Sequence, residues 1–87
     1  MDMESYRRER KLTYNALVDD LRSKAANKKP FERMDASRAR RIALGLILPR
    51  RDVLKAIVDG SGKEITIESM FERYDAAKRR AEPSPAH

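Results

Sequence analysis

Ile42-Ala43-Leu44-Gly45-Leu46-Ile47-Leu48 is the longest apolar run in this 87-residue chain, and the fold class turns on whether it is helix or strand. It is far shorter than the ~20 residues a membrane span requires. Read outward as helix, its neighbours fall into place. Asp35 can cap a short helix over 36–44, because its carboxylate accepts the free amide hydrogens of the first turn. Gly45 ends that helix, since glycine takes positive φ without a Cβ clash. Leu46, Ile47 and Leu48 then carry the chain through the core, and Pro49 opens a helix over 49–59 at a favoured first position. Val53, Leu54, Ala56, Ile57 and Val58 make a wide apolar arc that marks this helix as central, and Gly60-Ser61-Gly62 closes it.

The flanks are also helical in pattern. Met3, Tyr6, Tyr14, Leu17, Val18, Leu21 and Ala25 recur at 3.6-residue spacing, which predicts one long helix over 3–26. Arg7 and Arg10 interrupt its stripe, so its first two turns are expected to project beyond the domain, or to cover a partner with their aliphatic stems while the charges reach water. Pro30 in Asn27-Lys28-Lys29-Pro30 stops it, having no amide hydrogen and pushing Lys29 out of helical conformation. Toward the C-terminus, Thr66 caps a fourth helix, and Ile65 and Met70 are spaced as a hydrophobic staple. Ile67, Met70, Phe71, Tyr74, Ala77 and Ala81 line one face of it. Glu68, Glu72 and Asp75 come early and Lys78, Arg79 and Arg80 late, matching the helix dipole. The expectation is an all-α, small four-helix domain with a long N-terminal helix over 1–82, followed by a disordered tail over 83–87. So small a core is marginal alone, so a homodimer is expected, with the first helix and the Ile67–Ala81 stripe as candidate seams.

The strand reading gives a different fold. Ile42, Leu44, Leu46 and Leu48 alternate, and a strand there, the Pro49 helix, the glycine turn and the Thr66-capped helix together resemble the ribbon-helix-helix DNA-binding family over residues 40–81. That resemblance implies an α+β fold whose strand reads bases. The reading face would carry Ala43, Gly45 and Ile47, none of which can hydrogen-bond a base edge through its side chain. The all-helical reading therefore stands first and the ribbon-helix-helix-like one second.

Composition removes several function classes. There is no Cys, and the one His is residue 87, so disulfides, thiolate metal sites, a cysteine nucleophile and a His-ligated zinc site are excluded within one chain. Serine–histidine chemistry would need a His beyond Pro83-Ser84-Pro85-Ala86. The N-terminus reads Tyr6-Arg7-Arg8-Glu9-Arg10-Lys11 where a secretory signal would be apolar, and the expected location is cytoplasmic. Gly60-Ser61-Gly62-Lys63 lacks the spacing of a phosphate-binding P-loop, with Ile57 and Glu64 where Gly and Ser or Thr belong. It reads as a turn between helices. A helix-turn-helix over 53–73 would match Ala56 and Gly60 but put Lys55 and Asp59 at apolar positions. No cofactor, metal site or catalytic constellation is expected, and the chain does not read as an enzyme.

Charge is the informative property. Lys and Arg total 20 against 14 Asp and Glu, a net charge of +6. Residues 28–55 hold Lys28, Lys29, Arg33, Arg38, Arg40, Arg41, Arg50, Arg51 and Lys55, opposed only by Glu32, Asp35 and Asp52. That third of the chain accounts for the whole net charge; the remainder carries eleven groups of each sign. Six of the nine cations are Arg, whose planar fork pairs with phosphate. Arg38 and Arg41 share a helix surface, and Arg50 and Arg51 fall at a helix start, where free amides also favour an anion. These nine are the candidate nucleic-acid-binding residues, with Arg38, Arg41, Arg50 and Arg51 the expected main contacts. The expected function is a small DNA-binding regulatory or accessory protein, DNA ahead of RNA, with no membrane partner. An acidic protein surface would suit the same patch. The rival is a small inhibitor or adaptor docking through Met3, Tyr6, Arg7 and Arg10. Tyr14 and Tyr74 read as core or interface residues, and Tyr6, beside Arg7, Arg8 and Arg10, is the one aromatic with an opening for an exposed role.

Overall fold

A computed structural model of the chain describes residues 1–81; the expected tail over 83–87 lies outside them. The described residues are all-helical: α1 Met3–Glu9, α2 Tyr14–Lys24, a 3-10 turn Lys29–Phe31, α3 Ala36–Ala43, α4 Arg51–Gly60 and α5 Ile67–Ala81. None of these helices is long and apolar enough to cross a membrane. α2 packs against both α3 and α4, and one core gathers residues from every helix, with Tyr6, Leu17, Leu21, Ala39 and Ile57 wholly enclosed.

The expected helix over 3–26 is two helices, which brings the α-helix count to five. Lys11 takes left-handed backbone, φ 55°. Around it the Leu12 amide donates to the Arg7 carbonyl and the Lys11 amide to the Arg8 carbonyl, both at 3.1 Å, the paired bonds of a Schellman stop. Thr13 restarts the chain, its hydroxyl accepting from the Ala16 amide at 3.1 Å. A straight helix of this span would run about 36 Å and carry its first turns past the domain. Folding back buries Met3 and Tyr6 to 1% and 0% exposure. Each such burial contributes about 1.5–3 kcal/mol, against about 1–2 kcal/mol for one left-handed residue. The expected projection of the first turns is overturned by this fold-back, and Tyr6 is a core residue with no exposed role.

Polar contacts lock the hairpin. Glu4 is 1% exposed and takes a two-pronged contact from Arg7, Nε at 2.9 Å and Nη2 at 2.8 Å. Arg8 Nε at 3.2 Å and the Tyr14 hydroxyl at 3.1 Å complete its shell. The same Arg7 stacks over the Tyr14 ring and donates to the Leu12 carbonyl, tying the turn to both helices. On the far side of α1, the Tyr6 hydroxyl donates to Asp20 at 2.6 Å and accepts from Lys24 Nζ at 2.7 Å. The Arg7 contact holds the Glu4 carboxyl below its ordinary range against the opposing effect of desolvation, with the Tyr14 hydroxyl assisting.

The 42–48 run is neither strand nor core crossing. α3 ends at Ala43, Leu44 caps it, and Gly45 turns at φ 79°. The ribbon-helix-helix-like alternative is thus overturned: Ile42 and Ala43 complete a helix capped at Asp35, whose carboxylate accepts from the Arg38 amide at 2.7 Å, leaving too few residues for a strand. Leu46 and Leu48 are 52% and 37% exposed, because the Gly45 turn presses on α5 and lifts the following residues outward. A Cβ on Gly45 would lie 2.6 Å from the Arg73 carbonyl oxygen. Pro49 precedes the cap Arg50 and does not open the helix, which begins at Arg51. α5 starts as expected: Thr66 Oγ1 accepts from the Ser69 amide at 3.1 Å, and Ile65 and Met70 are both buried. The Ser61 hydroxyl donates to the Val58 carbonyl and accepts from the Ile65 amide, so the glycine turn is occupied with its own backbone. Its six residues, 61–66, exceed the 3–4 of a helix-turn-helix connection.

At the α2–α4 crossing, a Cβ on Gly60 would lie 2.4 Å from the Leu21 carbonyl oxygen. Gly60→Ala is therefore expected to cost about 2–3 kcal/mol in urea unfolding; a loss under about 0.5 kcal/mol would mean that the crossing is loose. The lowered Glu4 value also has a defined pH consequence. Its contribution is fully present above the unfolded carboxyl's value of about 4.3 and is lost as pH falls through the lower folded value. Glu4→Gln should reduce stability at neutral pH by about 2–4 kcal/mol and flatten the acid limb of a melting-temperature profile. An unchanged acid limb would remove Glu4 from its cause.

Candidate functional site

The basic segment 28–55 wraps from the end of α2 to the middle of α4. Its first turn is set by Asn27, whose Oδ1 accepts from the Lys29 amide at 3.2 Å, an Asx turn that Pro30 then stiffens into the 3-10 turn. Phe31, 1% exposed, anchors that turn in the core, so Lys29 and Arg33 face outward on either side of it. Asp35 fixes where α3 starts and thereby Arg38, and Pro49 delivers Arg50 as the cap of α4.

These elements enclose a concavity of about 380 Å³, lined by Lys29, Arg33, Arg38 and Arg50 together with Asn27, Pro30, Glu32, Asp52 and Val53. Four of the nine sequence-predicted cations thus share one site. The other five do not line it. Lys28 Nζ is folded back on the carbonyls of Arg22 and Ala25, each at 3.0 Å, where it caps α2. Arg40 is exposed in the last turn of α3, outside the cavity. Arg41, Arg51 and Lys55 are exposed on the surface outside the cavity. Of the four residues expected as main contacts, Arg38 and Arg50 are in the cavity and Arg41 and Arg51 are not. Helix periodicity explains the division: three residues advance the direction by about 300°, so Arg38 and Arg41 are neighbours without sharing a cavity wall.

The electrostatics are as asymmetric in space as in sequence. Among the described residues, every ion pair joins groups within 2–24 or links that region to Glu64 or Arg73: Arg7 and Arg8 with Glu4, Arg10 with Glu64, Arg22 with Asp19, Lys24 with Asp20, and Arg73 with Asp2. No ion pair among them involves any of the nine cations of 28–55. α4 also starts without a side-chain cap bond, with Arg50 and Arg51 at its positive end. That arrangement opposes the helix dipole, and an anion seated there would relieve it. Glu32 and Asp52 moderate the cavity but leave it cationic, four groups to two.

Sequence reasoning missed Asn27, Glu32, Asp52 and Val53 as wall residues. The Asn-x-Lys-Pro spacing signals the Asx turn and could have found the first; the others depend on how α3 and α4 approach. No group of three or more His, Cys, Asp or Glu with metal-binding spacing occurs among the described residues. Comparison with family models, with curated proteins and with solved structures finds no match for this chain.

Proposed function

We propose that this chain is a small, non-enzymatic nucleic-acid-binding protein, regulatory or accessory in role, with duplex DNA its first candidate ligand. Its cavity cations meet backbone phosphates. The observation that carries the reading is that the entire charge surplus lies in a segment with no internal ion pair among the described residues, and four of its cations line one cavity. A cationic side chain that serves the fold ordinarily finds a carboxylate, as Arg7 and Lys24 do in the N-terminal hairpin. Leaving nine cations without a carboxylate partner among the described residues, in one third of a chain, raises the energy of the free protein through self-repulsion, which a polyanion offsets.

The contacts expected from this arrangement are of the positioning kind. Lys29, Arg33, Arg38 and Arg50 would bind phosphate oxygens, with the first amides of α4 adding main-chain donors. Arg41, Arg51 and Lys55 would contribute longer-range attraction outside the cavity. Affinity should then depend steeply on salt, since each neutralised phosphate releases condensed counterions. The adaptor reading loses its motivation, because Met3 and Tyr6 are core residues and Arg7 and Arg10 are ion-paired to Glu4 and Glu64.

The test compares two sets of substitutions. Replacing Lys29, Arg33, Arg38 and Arg50 together by Ala should weaken binding to random duplex by about tenfold or more and lower the slope of log affinity against log salt by ~0.9 for each phosphate no longer neutralised. Replacing Arg41, Arg51 and Lys55 should have a smaller effect, with helicity unchanged in both variants. Undiminished duplex binding by the cavity variant would refute the assignment. Salt-insensitive capture of one acidic protein in place of nucleic acid would move the same surface to a different partner.

A further inference from the structure

We infer that the outward face of α3 reads bases in the major groove of duplex DNA, with Arg41 the residue that selects a guanine. This rests on the nucleic-acid reading above and adds a sequence preference to it. α3 is held at both ends and along one side. Asp35 caps its start, the Gly45 turn ends it, and Ala39, Ile42 and Ala43 are buried where it packs against α2 and α1. The helical advance of about 100° per residue then fixes what faces outward. Ser37, Arg41 and Leu44 lie within about 60° of one another, opposite the three buried residues. Arg38 and Arg40 flank them, about 160° apart, and Arg38 is the one that lines the cavity. Ser37, Arg40 and Arg41 are exposed and Leu44 is partly exposed.

The chemistry of this face sets it apart from an ordinary solvated surface. α3 holds three Arg and no acid, whereas each of the other four α-helices carries at least one carboxylate. None of the three is in an ion pair among the described residues, and Arg38 and Arg41, three apart on one helix, repel. The major groove of B-DNA, about 12 Å wide, admits an α-helix, and the minor groove, about 6 Å wide, does not. The major groove of an A-form RNA duplex is too narrow for side chains to read. With Ser37, Arg41 and Leu44 directed at the groove floor, the cavity cations beside Arg38 meet the phosphates of one strand and Arg40 those of the other. The Arg41 fork matches the O6 and N7 acceptors of guanine, Ser37 can pair with either kind of base edge, and Leu44 suits a thymine methyl. On unmatched duplex Arg41 adds attraction alone; at a matched site it reaches a base.

The test selects binders of the full chain from a random duplex pool. The selected duplexes should share a G·C pair. Exchanging that pair for A·T should weaken binding of the unaltered chain by about 5- to 150-fold, whereas Arg41→Ala should bind both duplexes at the weaker level. Arg50→Ala, which loses a phosphate contact, should weaken both by the same factor and keep the preference. Placing 7-deazaguanine, which lacks the N7 acceptor, at the selected position should weaken binding of the unaltered chain, and no effect there would overturn contact through the major groove. A preference that survives Arg41→Ala with helicity intact would overturn the assignment to α3. Binding of random duplex with no sequence enriched would overturn base reading and leave the phosphate-binding reading standing, whereas no binding to any duplex would overturn both.

Discussion

Glu4 is a carboxylate removed almost entirely from water, and the topology depends on how its charge is satisfied. An ion buried without partners would be strongly destabilising, so its site must supply cations and donors from nearby. The chain does this by ending α1 after seven residues and turning through a left-handed Lys11. Arg7 can then grip Glu4, cover Tyr14 and hold the Leu12 carbonyl at once. Without that turn, Met3 and Tyr6 would leave the core and α1 would no longer pack on α3. The Tyr6–Asp20–Lys24 contacts on the opposite side of α1 depend on the same fold-back.

This arrangement also decides where charge is consumed and where it remains. Asp2, Glu4, Asp19 and Asp20 of the N-terminal hairpin, with Glu64 before α5, are paired with Arg73, Arg7, Arg8, Arg22, Lys24 and Arg10. The segment from Lys28 to Lys55 has only three acids: Asp35 serves as the α3 cap, and Glu32 and Asp52 line the cavity and are in no ion pair among the described residues. Its Arg side chains are therefore left without a carboxylate partner among the described residues, and three of them, Arg33, Arg38 and Arg50, line a concavity made by a 3-10 turn and two helix starts. In energetic terms the molecule is stabilised at one end by internal ion pairs and left electrostatically unsatisfied at the other. The unsatisfied end is the one that gains from a negatively charged ligand.

Much of the architecture was legible in the chain. Local rules read α3, α4 and α5 within one or two residues, because Asp35, Gly45, Gly60-Ser61-Gly62 and Thr66 act through short-range hydrogen bonds and backbone preferences. What escaped was tertiary. The break at Lys11 carries no Gly or Asn, and its cause is a carboxylate network closed across two helices; only Thr13 as a cap and the interruption of the stripe by Arg7 and Arg10 hinted at it. Leu46 and Leu48 read as core by hydropathy, yet their exposure follows from Gly45 meeting the backbone of α5, an approach no local pattern encodes. The candidate site was visible as a charge surplus but not as a place. Which four of the nine cations converge depends on the relative setting of the Pro30 turn, α3 and α4.

The central claim is that these unpaired cations form the face presented to nucleic acid. It is tested most directly by titrating a short random duplex into isotope-labelled protein and following the backbone amide resonances at low salt. The account predicts that shifts concentrate on residues 27–38 and 50–53, around the cavity, and fade as salt is raised. Shifts confined to α1, α2 or α5, or an absence of shifts at saturating duplex, would contradict it.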